Sequence, residues 1–161
     1  PVEHVMIRRL LAPCLLGLAV ATAAMTDARA ARVAETDEFL TGEISVERRI
    51  RLPQGGASAR MHVDLAITNT GAEDLILRAP ADCAVHNWII ALPNNDPVLY
   101  GVEPDCKGET VETVIEAGGT LKGGNSIMLR SNDLAVGQRY YLIYEYWGVR
   151  MRTPFQIFED D

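Results

Sequence analysis

Two cysteines, Cys83 and Cys106, are the side chains of this 161-residue chain whose chemistry is easiest to anticipate. Paired cysteines in an oxidising compartment most often form a disulfide. Here the bridge would close a loop of about two dozen residues, which the chain-entropy model values at about 3 kcal/mol of stability. We predict this disulfide, and we expect it to bracket the hairpin that follows Trp88.

A soft-metal site is the alternative use of the same region. The segment Cys83-Ala84-Val85-His86 places a thiol near an imidazole, and Met128 could add a thioether. Thiolate, thioether and imidazole ligands suit Cu(I). Because a disulfide would consume the thiols, His86 and Met128 would then be the remaining ligands. We therefore expect no cofactor and keep copper as the alternative.

The motifs of familiar catalytic centres are missing from the sequence. There is no G-x-S-x-G segment, no H-E-x-x-H segment and no P-loop. The acidic residues are scattered over turns and outward rows, without a pair that can be placed across a cleft. His62 and Asp64 have the spacing of neighbours on any exposed strand face. We predict that the chain is not an enzyme.

Residues 1–30 have the pattern of a secretory signal peptide. We take Met6 as the native start, with residues 1–5 as upstream sequence. Two arginines precede an apolar stretch, and residues 28–30 form an A-x-A cleavage site. The apolar stretch is short for a membrane span and contains Pro13. We predict export to a periplasm or to the cell exterior, with no membrane span after cleavage; an uncleaved anchor is the alternative.

The charge of the chain argues against nucleic acid as a partner. The formal net charge is −7, from 15 basic and 22 acidic side chains. Residues 1–30 hold three basic and two acidic side chains, which leaves 12 against 20 and a net charge of −8. A domain this acidic, without a Lys/Arg run, is poorly suited to a phosphate backbone.

The stretch from Arg60 to Arg78 is the part of the sequence around which we expect the rest of the domain to be organised. Its apolar side chains recur every second residue, which predicts a strand with one buried row. The segment Asn69-Thr70-Gly71 then predicts a turn, because Asn and Gly tolerate positive φ. The apolar row resumes on a second strand, so we expect a hairpin or an equivalent strand-turn-strand unit. The members of the row are Met61, Val63, Leu65, Ile67, Leu75 and Leu77.

The same two-residue period continues to the C-terminus, with Gly- and Asn-rich breaks. It predicts an all-β protein, an immunoglobulin-like or cupredoxin-like antiparallel β-sandwich of about eight strands behind the N-terminal signal helix. One strand is expected over 43–52, and Gly123-Gly124 is expected to interrupt the chain. The expected organisation is a signal peptide at 1–30, a tether at 31–42, a sandwich domain at 43–158 and an acidic tail at 159–161.

Several segments between Asp64 and Gly124 carry a family resemblance. They are a strand that ends in TNTG, the pair Leu75 and Leu77, the hairpin HNWIIALPNNDPVLYG and the turn EAGGTLKGG. In these features the chain resembles the domain of the bacterial intracellular proteinase inhibitor (BsuPI) family. The resemblance implies an immunoglobulin-like sandwich and, as in some members, proteinase inhibition.

A second resemblance extends to about Phe155. It rests on LAITNTGAEDLIL, on His86 at a strand start and on VIEAGGTLKGGNSIMLRSNDLAVGQRYYLIYEY. These segments are similar to periplasmic copper chaperones of the PCuAC type, which bind Cu(I) through two His and two Met. His86 matches the first histidine and Met128 the last methionine. Ser126 stands where the second histidine would be, and the first methionine has no counterpart, so the implied site is degenerate.

These observations favour an exported, non-catalytic binding module with a protein partner. Sandwich loops form ready contact surfaces, and aromatic residues often anchor interfaces. Proteinase inhibition through the Pro93–Pro97 loop is one form of this role. A copper-chaperone-like protein is the alternative. The expected binding surface comprises Trp88, Asn94, Asn95, Tyr100, Tyr141 and Trp147.

Overall fold

The alternation of apolar and polar residues produces eleven strands within the described part of the chain. The computed structural model describes residues 31–33, 38–53, 57–101 and 105–159. The predicted signal peptide with its helix and residues 160–161 of the predicted tail lie outside these ranges. The strands are β1 (Ala31–Val33), β2 (Leu40–Val46), β3 (Arg49–Leu52), β4 (Ser58–Asn69), β5 (Asp74–Ala79), β6 (His86–Ala91), β7 (Pro97–Tyr100), β8 (Val111–Ile115), β9 (Thr120–Arg130), β10 (Arg139–Tyr146) and β11 (Val149–Glu159). A short 3-10 helix covers Asp82–Val85.

The strands form three sheets around one core, which confirms the predicted all-β sandwich. Their orders are β3-β11-β10-β6-β7, β2-β4-β9 and β1-β5-β8. Inward rows from all three sheets join a single apolar cluster, because each strand turns every second side chain to the same side. The row from Met61 to Ile67 is almost wholly inaccessible, as predicted, and Leu75 and Leu77 extend it.

Two pairings are parallel, which the antiparallel prediction did not include. β1 pairs with β5, and β3 pairs with β11. The predicted strand over 43–52 is in fact two strands, because the chain crosses at Glu47 and Arg48 from the β4 side to the β11 side. The segment interpreted as a tether, 31–42, includes β1 and the first residues of β2.

Asn69 turns the chain from β4 to β5, which lie in different sheets and do not form a hairpin. Its φ is not positive, so the physical reason given for the turn is wrong. The buried side chain acts instead: Nδ2 donates to the carbonyls of Glu73, Ile115 and Glu116 at 2.7, 3.1 and 3.2 Å. Oδ1 accepts from the Gly71 N–H at 2.9 Å. The amide thus satisfies the backbone where two sheets meet.

Gly123-Gly124 does not interrupt the chain, and β9 runs through both glycines. A Cβ on Gly123 would lie 2.5 Å from the hydroxyl oxygen of Tyr146, on the facing sheet. The glycine therefore makes room for a tyrosine hydroxyl, and the close approach of two layers explains it better than a turn.

The disulfide between Cys83 and Cys106 is present, with the two Cα atoms 5.7 Å apart. It joins the 3-10 helix to the segment before β8 and so brackets the β6–β7 hairpin, as predicted. No helix within the described ranges is long and apolar enough to cross a membrane.

Candidate functional site

The outer side of the five-stranded sheet carries a cluster of arginine, aromatic and aliphatic side chains. Strand alternation puts them there, because their neighbours in sequence point into the core: Tyr141 and Ile143, for example, alternate with buried Tyr140 and Leu142. We call this surface the arginine–aromatic face. Its members are Arg49, Arg51, Ile89, Tyr100, Arg139, Tyr141, Ile143, Arg150, Arg152 and Phe158.

An apolar row crosses the middle of this face. Cross-strand pairing aligns Arg152 with Ile143, Ile143 with Ile89, and Ile89 with Tyr100. At the usual strand spacing the row is roughly 14 Å long. The two isoleucines are half-buried, and Tyr100 is 61% exposed on the edge strand. The face therefore presents an apolar centre to solvent, with arginine at one end of the row.

Two of the arginines stack on aromatic rings of neighbouring strands. The guanidinium carbon of Arg152 lies 3.7 Å from the ring centroid of Tyr141. That of Arg49 lies 4.2 Å from the ring centroid of Phe158. Such cation–π contacts hold the long side chains flat on the sheet and leave the edges of the guanidinium groups available for hydrogen bonds.

A shallow depression of about 130 Å³ opens beside the apolar row. Its apolar lining comes from Trp88, Ile89 and Ile143, and its polar lining from Asn87, Glu145 and Arg150. An apolar floor with a polar border can receive one aliphatic side chain of a partner and orient it.

The structure divides the predicted binding surface. Tyr100 and Tyr141 lie on the arginine–aromatic face. Trp88 points inward and packs on the core, and a Cβ on Gly101 would overlap its indole ring. Trp147 occupies the two-residue β10–β11 turn with φ 49°, and its backbone N–H donates to the carbonyl of Val85 at 3.1 Å.

Asn94 and Asn95 lie in the β6–β7 turn, apart from the other predicted residues. The Asn94 side chain donates to a carboxylate oxygen of Asp96 at 2.7 Å and accepts from the Asp96 N–H. Asn95 adopts φ 71°, and its N–H donates to the carbonyl of Leu92 at 2.9 Å. Pro93–Pro97 is thus a closed turn and does not have the extended conformation of a peptide that adds to a sheet edge.

His86 is half-buried at one end of the sandwich, in a polar cluster that joins two layers. Its Nδ1 is 2.9 Å from the Tyr144 hydroxyl, which also accepts a hydrogen bond from Asn125 at 2.7 Å. The imidazole stacks on the Tyr146 ring with 5.0 Å between centroids. In this arrangement the Tyr144 hydroxyl can donate to Nδ1, which requires neutral His86.

Burial governs the titration of this cluster. It lowers the pKa of His86 below its ordinary value of 6.5, and the nearby charge of Asp82 opposes the shift by a smaller amount. Burial also raises the pKa of Tyr144, against the hydrogen bond from Asn125 and with a contribution from Tyr146. Neutral histidine and neutral tyrosine are the forms that suit this interior position.

The two residues of the copper alternative are not brought together. Met128 is 52% exposed in the outward row of β9, whereas His86 faces the interior from the opposite layer. Within the described residues, no group of three or more His, Cys, Asp or Glu side chains could hold a metal ion.

A second concave surface lies on the outer side of β2, β4 and β9. One hollow of about 430 Å³ is lined by residues that include Glu43, Asp64 and Lys122. Nearby, the Ser126 hydroxyl is 3.2 Å from Nδ1 of His62. A serine nucleophile needs a base that a third group orients, and no carboxylate in the described ranges hydrogen-bonds to His62. This pair is a surface hydrogen bond between adjacent strands.

Sequence reasoning missed most of the arginine–aromatic face. The available signal was the doublet Arg-x-Arg at 49–51 and again at 150–152, each alternating with buried residues. Neither doublet shows by itself that β3 and β11 are neighbours. Their parallel pairing, Gln156 with Arg49 and Phe158 with Arg51, brings the two basic segments onto one sheet.

Comparisons with known proteins show structural similarity but no family to which the chain can be assigned. No family model and no curated protein matches the chain. A β-glucosidase from Listeria innocua aligns with a TM-score of 0.42 and 10% identity, over 75% of this chain and 16% of that one. The DNA glycosylase AlkC of Pseudomonas fluorescens, bound to DNA with an abasic-site analog, gives 0.41 and 13%, over 73% and 30%.

A structural-genomics target, SoR45, aligns with a TM-score of 0.43 and 16% identity, over 77% of this chain and 89% of that one. The chain thus spans less than a third of the length of the two enzymes. At these scores and identities none of the three proteins lends this chain a function.

Proposed function

We propose that this chain is an exported, non-catalytic module that binds a protein partner on its arginine–aromatic face. The observation that carries the proposal is the apolar row of Ile143, Ile89 and Tyr100 on an outward sheet surface, with Arg152 at one end. An apolar centre within a polar border is the usual anatomy of a protein interface, and Tyr and Arg are frequent anchors there.

Two further features support the proposal, namely the compartment that the disulfide suits and the rigidity of the face. The Cys83–Cys106 disulfide suits an oxidising compartment, which agrees with the exported N-terminal segment inferred from the sequence. The face lies on paired strands, so little ordering is needed when a partner docks. Protein binding is also the role that the resemblance to BsuPI-type domains implies.

Affinity capture with matched variants tests the proposal. The mature chain, immobilised, is incubated with an envelope extract of the organism that makes it, and bound proteins are compared across variants. Ile143→Asp and Tyr100→Asp place a charge in the apolar row and should remove a specific partner. Val114→Asp is the control, because Val114 is an exposed valine, at 55%, on a strand of another sheet.

The capture results are compared only between variants that are shown to fold. Each variant is first shown to unfold at a temperature close to that of the parent chain, and Tyr100→Asp serves if Ile143→Asp does not fold. Loss of one captured protein from the face variants, with retention by Val114→Asp, supports the proposal. Equal capture by all variants, or loss with Val114→Asp as well, contradicts it.

A further inference from the structure

Positive charge is concentrated on the arginine–aromatic face of an otherwise acidic chain. Five arginines occupy the outward rows of β3, β10 and β11, and Glu145 is the one carboxylate in the outward rows of the described strands of this sheet. The whole chain has a formal net charge of −7. The face is therefore locally cationic, whereas the molecule as a whole repels anions at long range.

Four of these guanidinium groups have no carboxylate of their own. Within the described residues, Arg49, Arg139, Arg150 and Arg152 form no ion pair. Arg78 shows the contrast, since its Nε lies 2.6 Å from a carboxylate oxygen of Glu112 on the neighbouring strand. Arg150 lies opposite Glu145 in the β10–β11 register without forming an ion pair, and Arg49, Arg139 and Arg152 have no acidic residue opposite them in this sheet, so these guanidinium groups can hydrogen-bond to a partner.

The two arginine–ring stacks indicate which class of anionic partner this face can bind. Arg152 covers the ring of Tyr141, and Arg49 covers the ring of Phe158. Nucleic-acid bases bind by stacking on open aromatic faces; these two rings are already covered, which leaves Tyr100 as the exposed aromatic ring among the described members of the face. The half-buried isoleucines between Arg152 and Tyr100 instead match aliphatic side chains.

We propose that the arginine–aromatic face recognises a protein segment in which aliphatic side chains alternate with carboxylates. This inference rests on the proposed function and specifies the chemistry of its partner. An aliphatic side chain enters the depression at Ile89 and Ile143, while flanking Asp or Glu residues receive bidentate hydrogen bonds from Arg150 and Arg152. The carboxylates fix register, and the apolar contact supplies most of the affinity.

Synthetic peptides of equal length provide the probe. Three peptides carry leucines flanked by Glu, by Gln or by Lys, and their dissociation constants for the mature chain are measured calorimetrically at low and at moderate salt. We expect the Glu peptide to bind about tenfold more tightly than the Gln peptide at low salt, and the difference to shrink as salt rises. The Lys peptide should bind most weakly.

Charge-reversed variants assign the effect to named residues. Arg150→Glu/Arg152→Glu should weaken the Glu peptide about tenfold or more and leave the Gln peptide nearly unchanged. Arg60→Glu is the control, because Arg60 is an exposed arginine in an outward row of the other layer. If Arg60→Glu is as damaging as the double variant, this surface is not the one used and the inference is wrong.

The same panel separates this inference from the proposed function. Equal binding of the Glu and Gln peptides, both lost in Ile143→Asp, would overturn the acidic specificity and leave protein binding at this face intact. Binding of none of the peptides, with equal capture by the face and control variants in extracts, would overturn both. Tighter binding of heparin or a single-stranded oligonucleotide than of the Glu peptide would also overturn the inference.

Discussion

A single amide side chain, that of Asn69, holds the point where the chain passes between sheets. It is fully buried and donates to three backbone carbonyls from β5 and β8 and their flanks. Buried carbonyls that lose their donors keep the cost of leaving water without the compensating hydrogen bond.

Asn69→Ala should therefore lower the free energy of unfolding by about 3 kcal/mol. Asn94→Ala is the matched control, because Asn94 is an exposed turn residue whose loss should cost less than about 1 kcal/mol. Urea denaturation of both variants measures the difference. Similar midpoints for the two would show that the Asn69 network contributes little.

His86 gives the interior cluster a dependence on pH with a defined sign. Its pKa is lowered in the folded protein by burial, so below pH 6.5 the unfolded chain binds a proton that the folded protein does not yet bind. Stability is therefore complete above pH 6.5 and falls as the pH drops from 6.5 to the lowered value.

Thermal unfolding between pH 7.5 and 5 checks this expectation. The parent chain should lose stability over this range more steeply than His86→Phe, which has no imidazole to titrate at this position. Parallel pH profiles for the two would contradict the neutral, hydrogen-bonded role of His86.

At the scale of elements, the distance between layers is set by small residues at points of close approach. Gly123 on β9 leaves room for the hydroxyl of Tyr146, whereas a Cβ on Gly124 would meet its nearest atom, the Val63 carbonyl oxygen, at 3.4 Å. Two adjacent glycines in one strand thus have different reasons to be present.

Gly123→Ala should destabilise the protein by about 1–3 kcal/mol, because a methyl group must displace a packed tyrosine. Gly124→Ala should be nearly neutral, since the methyl group points outward. Gly123→Ala/Tyr146→Phe should recover only part of the loss, because removal of the hydroxyl relieves the contact at 2.5 Å but leaves ring carbon Cζ at 2.6 Å. Chemical denaturation of the three variants, with equal effects for both glycines as the contrary result, tests this packing.

Local alternation was enough to predict the strands and their inward rows, but not all of their partners. The row of Met61 to Ile67 and the aromatic strand β10 are as expected, because burial of every second residue is a local property. The parallel pairing of β3 with β11 joins residues about a hundred positions apart. No short-range sequence pattern indicates such a pairing. The sequence around Gly123-Gly124 likewise predicts a turn, because the contact between layers that explains Gly123 is also non-local.

The candidate site could be predicted only in part for the same reason. The sequence places Tyr100 and Tyr141 in the expected binding surface because aromatic residues often anchor interfaces, and it predicts the disulfide because two cysteines remain beyond the N-terminal segment. The positions of Arg152 and Arg49 become informative only when β3, β11 and β10 are aligned, which places the two guanidinium groups over the rings of Tyr141 and Phe158. Trp88 belongs to the expected binding surface as an aromatic residue, but alternation gives only its parity and not the side of the strand that faces the core.

At the scale of the whole molecule, charge and apolar surface are distributed unequally between the two outer sides of the sandwich. The side of β2, β4 and β9 mixes acidic, basic and small polar residues around shallow hollows. The side of β3, β11, β10, β6 and β7 combines an apolar row with Arg49, Arg139, Arg150 and Arg152, which form no ion pair within the described ranges. This asymmetry favours one docking side.

Site-specific photo-crosslinking in the cells that make the protein tests this account most directly. A benzophenone side chain replaces Tyr100 in one variant and Val114 in another, two positions of similar exposure at 61% and 55% on different sheets. The account predicts a discrete crosslinked protein from position 100, with an acidic, aliphatic segment at the linkage, and none from position 114. A crosslink from position 114 alone, or equal crosslinks from both positions, would contradict it.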